Sequence, residues 1–207
     1  MDYLERNIIR ETENGFSTLN IQDHLLDGRN VYLNKEVNGE TALALLQQFM
    51  YLEKENTEVP INFFINSPGG SVPDGMIVYD YIRMMRAKVR TICTGRASSM
   101  GAILFLAADD RLMFPHSEIM IHDASFANAN FSGLKPDEIE EKTKDLVKTC
   151  NMLRNLISGR TGRSIEEVTE KMKKDSYFEV AEALEFGLAT QQVTSAKEMM
   201  INLDEFE

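Results

Sequence analysis

The chain has 207 residues, enough to bury one substantial core, and its apolar and charged fractions of 43% and 27% are those of an ordinary globular protein. A net charge of −11 and a sequence pI near 4.8 argue against a surface built for nucleic acid or anionic lipid. No apolar run approaches the ~20 residues of a spanning helix, and two cysteines, Cys93 and Cys150, supply neither a disulfide framework nor a zinc cluster.

Residues 1–28 mix charge, Asn and Gly and read as an exposed loop or hairpin; the start, Met1-Asp-Tyr-Leu-Glu-Arg, lacks a signal-peptide core. A short strand is predicted over 30–33. Ala42, Leu45, Leu46, Phe49 and Leu52 then recur at helical spacing over 40–53. The strand 61–65 runs into Asn66-Ser-Pro-Gly-Gly70 and a helix over 74–86. A second strand, 89–94, runs into Gly95-Arg-Ala-Ser-Ser-Met-Gly101 and an apolar helix, and a further strand covers 118–121. Strands alternating with helices predict an α/β fold with largely parallel pairing.

The helix predicted over 137–158 is different. Ile139, Leu146, Cys150, Leu153 and Ile157 form a near-heptad stripe, which suits either packing within the chain or a subunit interface. Ser164-Ile-Glu-Glu167 is a capping box opening another helix, and a last short helix over 180–186 is closed by Gly187. Without repeats, low-complexity tracts or a linker, 1–207 reads as one domain, and the composition as that of a cytoplasmic protein.

Ser99 stands where a strand turns into a helix start, a setting that places backbone N–H groups beside a hydroxyl. The turn at 66–70 repeats the design, and two such turns can form one anion-stabilising pocket. Gly101 is expected to let the backbone approach a substrate carbonyl. A nucleophilic serine needs a base, and there are three histidines. His24 reads as a half-buried surface residue and His116 as solvated, whereas His122 ends an apolar strand, where α/β sites gather. The orienting carboxylate stays open among Asp109, Asp110, Asp123 and Asp175.

Four blocks, Asn66-Ser-Pro-Gly-Gly70, Ala97-Ser-Ser-Met-Gly101, Ile119-Met-Ile-His122, and Asp175 followed by Ala181-Glu-Ala-Leu-Glu-Phe-Gly-Leu188, resemble the Clp protease proteolytic subunit family in order and spacing. The resemblance runs from about Ile8 to Val193. It implies a crotonase-like ββα spiral fold and a Ser-His-Asp serine endopeptidase: Ser99 matches the nucleophile, His122 the base and Asp175 the residue that orients it. Gly69 and Met100 match the positions whose N–H groups form the oxyanion hole. It further implies two stacked heptameric rings, with residues 1–28 as the axial loop segment and about 123–160 as a protruding handle region. A separate AAA+ unfoldase would use the ATP and feed in unfolded chains, no cofactor or metal being required in this subunit, which has no G-x-x-x-x-G-K motif.

The chain departs from the family pattern in four places. The segment 123–132 lacks the family's His-Gln-Pro and glycine pair. Lys173 and Lys174 precede Asp175 where an acid and an arginine are usual. Arg96 replaces a Gln, and Asn62 replaces an aromatic residue of the ATPase-docking groove, although Phe64 is kept. The competing readings are an enoyl-CoA hydratase or isomerase on the same fold, which would use glutamates; a silent ring subunit; and a phage-type or divergent peptidase without a standard ATPase partner.

Overall fold

The computed structural model describes residues 7–12, 15–126 and 132–199. The N-terminal segment is a hairpin, β1 (Asn7–Thr12) against β2 (Gly15–Asn20), followed by the short helix α1 (Ile21–Asp27). Then come β3 (Asn30–Leu33), α2 (Gly39–Glu55), β4 (Ile61–Ser67), α3 (Val72–Met84), β5 (Val89–Ser98), α4 (Met100–Phe105), β6 (Asp110–Met113) and β7 (Glu118–Ile121). The long helix α5 (Pro136–Thr161), α6 (Ile165–Met172), β8 (Ser176–Phe178), α7 (Val180–Phe186), β9 (Gln191–Gln192) and a 3-10 turn, Ala196–Met199, complete the described chain.

The predicted α/β fold is present. The sheet runs β3-β4-β5-β6-β9 with every pair parallel, and β7 pairs parallel with β5 while β8 pairs antiparallel with β7. Parallel strands need crossovers, which α2, α3 and α4 provide, and strands covered on both faces read as continuous apolar runs. That is why Ile61, Phe63 and Ile65 are all fully buried, with Phe49 of α2 edge-on to Phe63 at 5.3 Å between ring centres.

Strand β5 is longer than the sequence suggested. Its first half pairs with β6 (Arg90 to Cys93 against Asp110 to Met113), and its second half, read as a turn, pairs with β7 (Arg96 to Ser98 against Glu118 to Met120). Small residues extend the strand because the neighbour gives way. The β4 pairing shifts register between Ile65 and Ser67, and the Asn66 side chain accepts a hydrogen bond from the Arg96 N–H at 3.2 Å. The short strands β6, β8 and β9 were not foreseen either, since two to four residues carry no readable period.

The predicted caps hold. Ser164 and Glu167 form the reciprocal capping box of α6, and Gly187 ends α7 at φ +86°. Along α5 the stripe divides: Cys150, Leu153 and Ile157 are buried against the body, Leu146 is half-buried, and Ile139 stays exposed, as does Val147 beside the stripe. Among the described residues no helix is long and apolar enough to cross a membrane.

Candidate active site

Two strand registers bring the key side chains together. Parallel pairing of Ser98 with Met120 lets the Ser99 N–H donate to the Met120 carbonyl at 2.8 Å, beside the end of β7. Antiparallel pairing of Ile121 with Ser176 sets Asp175, just before β8, next to His122, just after β7. As a result Ser99 Oγ lies 2.8 Å from His122 Nε2, and His122 Nδ1 lies 3.3 Å from Asp175 Oδ1. A carboxylate on Nδ1 keeps the proton there, so Nε2 is left to accept from the serine hydroxyl.

Ser99 has φ +53° and ψ −119°, between the end of β5 and the first residue of α4. A side chain at positive φ costs about 1–3 kcal/mol, a strain that persists only where neighbours over-determine it. The clamps are the bond to Met120 and the helix bonds from Ala102 and Ile103 to the Ser99 carbonyl. Its hydroxyl makes no capping bond to the helix. It faces His122.

The other carboxylates left open in the sequence are engaged elsewhere or apart. Asp109 takes Arg83 at 3.1 Å and Arg160 at 2.7 Å, and these guanidinium partners hold its carboxyl below its ordinary range. Asp110 opens β6 on the surface. Asp123 pairs with Arg154. Only Asp175, among the described residues, forms an ion pair with His122. His24 is half-buried on α1 and His116 is exposed, as expected. Lys173 does not turn to Asp175: its ammonium bonds Glu170 at 2.5 Å on its own helix.

The expected pair of amide donors needs one correction. The Met100 N–H, at the first position of α4, has no acceptor among the described residues, as helix starts require. The Gly69 N–H, by contrast, donates to Ser67 Oγ at 3.1 Å within its own turn, and Ser67 Oγ in turn donates to the Lys35 carbonyl. The next amide, Gly70 N–H, has no acceptor among the described residues, because the bridge to Val37 uses the Gly69 carbonyl and the Ser71 N–H. Gly69 instead permits close approach: a Cβ there would sit 2.5 Å from the Ser98 carbonyl oxygen and 2.9 Å from the Met100 nitrogen. Gly101 is corrected too. It faces Ser67, whose carbonyl oxygen would lie 3.2 Å from an added Cβ, so it seats α4 on β4 and not on a substrate.

Beside Ser99 and His122 opens a small pocket lined by Val72, Ile103, Leu153, Ile157 and Met172. These residues come from four helices and carried no signal of their own in the sequence beyond ordinary core periodicity. Asn62, placed by resemblance in a docking groove, is fully buried and donates to the Asn30 side chain at 3.1 Å and the Met199 carbonyl at 2.6 Å. Phe64 remains near the surface, stacked on exposed Tyr32 at 4.8 Å. Half of the altered segment 123–132, residues 127–131, lies outside the described residues. No cluster of His, Cys, Asp and Glu able to hold a metal occurs among the described residues.

The sequence model of the Clp protease family matches residues 12–196. An ATP-dependent Clp protease proteolytic subunit from Bdellovibrio bacteriovorus is 36% identical over 192 residues, which is 92% of this chain and 90% of that protein.

Proposed function

The chain belongs to the Clp protease family, and from that premise we propose that it is a serine endopeptidase, the proteolytic subunit of an ATP-dependent protease acting on unfolded polypeptides. The observation that carries the chemistry is the line of contacts from Ser99 Oγ to His122 Nε2 and from Nδ1 to Asp175. In this reading His122 takes the Ser99 proton as Oγ attacks the peptide carbonyl, and Asp175 stabilises the imidazolium. The N–H groups of Met100 and Gly70 receive the developing negative charge. His122 then protonates the leaving amine, and water, activated by the same imidazole, hydrolyses the acyl-enzyme.

The apolar pocket next to Ser99 encloses only about 20 Å³ as it stands, so the side chain that precedes the scissile bond would widen it on entering, and its apolar walls would favour an apolar side chain over a charged one. Peptides with Leu or Met at that position are therefore expected to be cleaved at least tenfold faster than those with Asp or Lys, since burying an unpaired charge there is costly. Rates over a peptide panel differing only at that residue check this. Equal rates would remove the pocket from the reading.

The assembly proposed is two stacked heptameric rings in the cytoplasm, on a crotonase-like fold. Exposed Ile139 and Val147 on α5 support a handle between rings, and the β1–β2 hairpin, with Ile9 and Phe16 exposed, supports an axial loop segment. The stack of exposed Tyr32 on half-buried Phe64 supports a docking site for an AAA+ ATPase partner that unfolds the substrates. The test combines a fluorophosphonate label with a mass measurement of the native assembly. Label on Ser99, retained activity in Ser98→Ala, and a double-ring mass are expected. Label on Ser98 or a monomeric active species would refute the reading.

A further inference from the structure

We infer that the Asp123–Arg154 ion pair is a positioning strap that fixes His122 against Ser99 and links its place to that of helix α5. The inference rests on the peptidase reading above. Strand β7 pairs with β5 as far as Met120 and with β8 as far as Ile121, its last residue, so His122 stands beyond the last paired position. What holds the chain after it is Asp123. Its N–H donates to the Met172 carbonyl at 2.8 Å, tying it to the end of α6 just ahead of Asp175. Its carboxylate accepts a two-armed fork from Arg154 on α5, with Nε to Oδ1 at 2.9 Å and Nη2 to Oδ2. One turn earlier on the same helix, Cys150 Sγ reaches the Ala124 carbonyl at 3.5 Å.

These four bonds pin residues 123 and 124 to two helices at once, and the same inner stretch of α5 supplies Leu153 and Ile157 to the pocket. A planar guanidinium fork fixes direction as well as distance, which a single ammonium contact does not. The pair is largely shielded, with side chains 27% and 21% exposed, so salt screens it less than a surface pair. The carboxylate also holds the Arg154 guanidinium above its ordinary pKa, in keeping with a made bond. A shift of α5 therefore moves the residue next to the base.

The test uses the assembled protein and a short peptide, with kcat, KM, the rate of fluorophosphonate labelling of Ser99, native mass and thermal midpoint all measured. Arg154→Met is expected to lower kcat about ten- to a hundredfold, the cost of a small misplacement of a reacting group, with KM within about twofold. Labelling of Ser99 should slow in parallel, because it needs the same proton transfer. Arg154→Lys should recover part of the loss, and Arg154→Met combined with Asp123→Asn should be no slower than the worse single variant. Asp123→Asn, which is isosteric, carries the same expectation should Arg154→Met fail to assemble. Unchanged kcat, a loss confined to KM, strictly multiplicative effects of the two substitutions, or a loss matching the fraction of disassembled protein would each overturn the strap. If Ser99→Ala is inactive while Arg154→Met runs at full rate, the strap alone fails. If Ser99→Ala remains active, the peptidase reading fails.

Discussion

Ser99→Ala is expected to abolish peptide hydrolysis, lowering kcat by about a millionfold, while leaving the native mass unchanged. In the proposed mechanism the hydroxyl is the attacking atom, and its side-chain contact is with His122. Alanine keeps the Cβ, so the positive φ at this position is no easier or harder to hold. His122→Ala should fall to the same floor, because nucleophile and base act as one unit. The strained backbone adds a second, independent readout. Glycine adopts φ +53° without steric cost, so Ser99→Gly should be inactive yet have a thermal midpoint no lower than Ser99→Ala. Peptidase assays, native mass spectrometry and thermal unfolding of the three variants decide it. Residual turnover above about a thousandth of the parent rate in Ser99→Ala would assign the nucleophile elsewhere, with Ser98 next to be tested.

Much of this site could be read from the chain because its parts are local. The run from β5 into α4 sets Ser99 at the turn, and an apolar strand ending in a histidine sets His122, both within short windows of sequence. The carboxylate could not be chosen that way. Spacing does not separate Asp109, Asp110, Asp123 and Asp175, and the choice depends on β8 pairing with β7, a three-residue strand with no period to detect. Resemblance to a family supplied what spacing could not. The helices were legible to within about two residues where caps mark them, as with Ser164 and Gly187. Where the reading erred, a neighbour decided. Gly95 to Ser98 looks like a turn by composition but extends as strand between β4 and β7, and the Gly69 amide, free in the sequence, is captured by Ser67. The strap between Asp123 and Arg154 spans 31 positions, so no local pattern could announce it.

Gly69→Ala is the second large effect expected, and it strikes fold and site together. Glycine there has φ +91°, and an added Cβ would meet the Ser98 carbonyl oxygen at 2.5 Å, Ser99 Cβ at 2.7 Å and the Met100 nitrogen at 2.9 Å. None of these is the end of a flexible side chain, so no rotamer change relieves the clash. Either the 66–70 turn lifts or the end of β5 moves. Backbone strain and overpacking together should cost about 2–4 kcal/mol of stability. Moving the β5 end carries Ser99 and the Met100 amide with it, and loss of one oxyanion donor typically lowers kcat about a hundred- to a thousandfold. Gly162→Ala is the control. It closes α5 at φ +75° with nothing within 4 Å of the new Cβ, so it should lose only the conformational part, about 1 kcal/mol, and keep its kcat. Thermal unfolding and steady-state kinetics on both variants separate strain from displacement. Should Gly69→Ala keep the parent kcat with a lowered midpoint, the turn would be yielding away from Ser99, and Met100 would be the donor that matters.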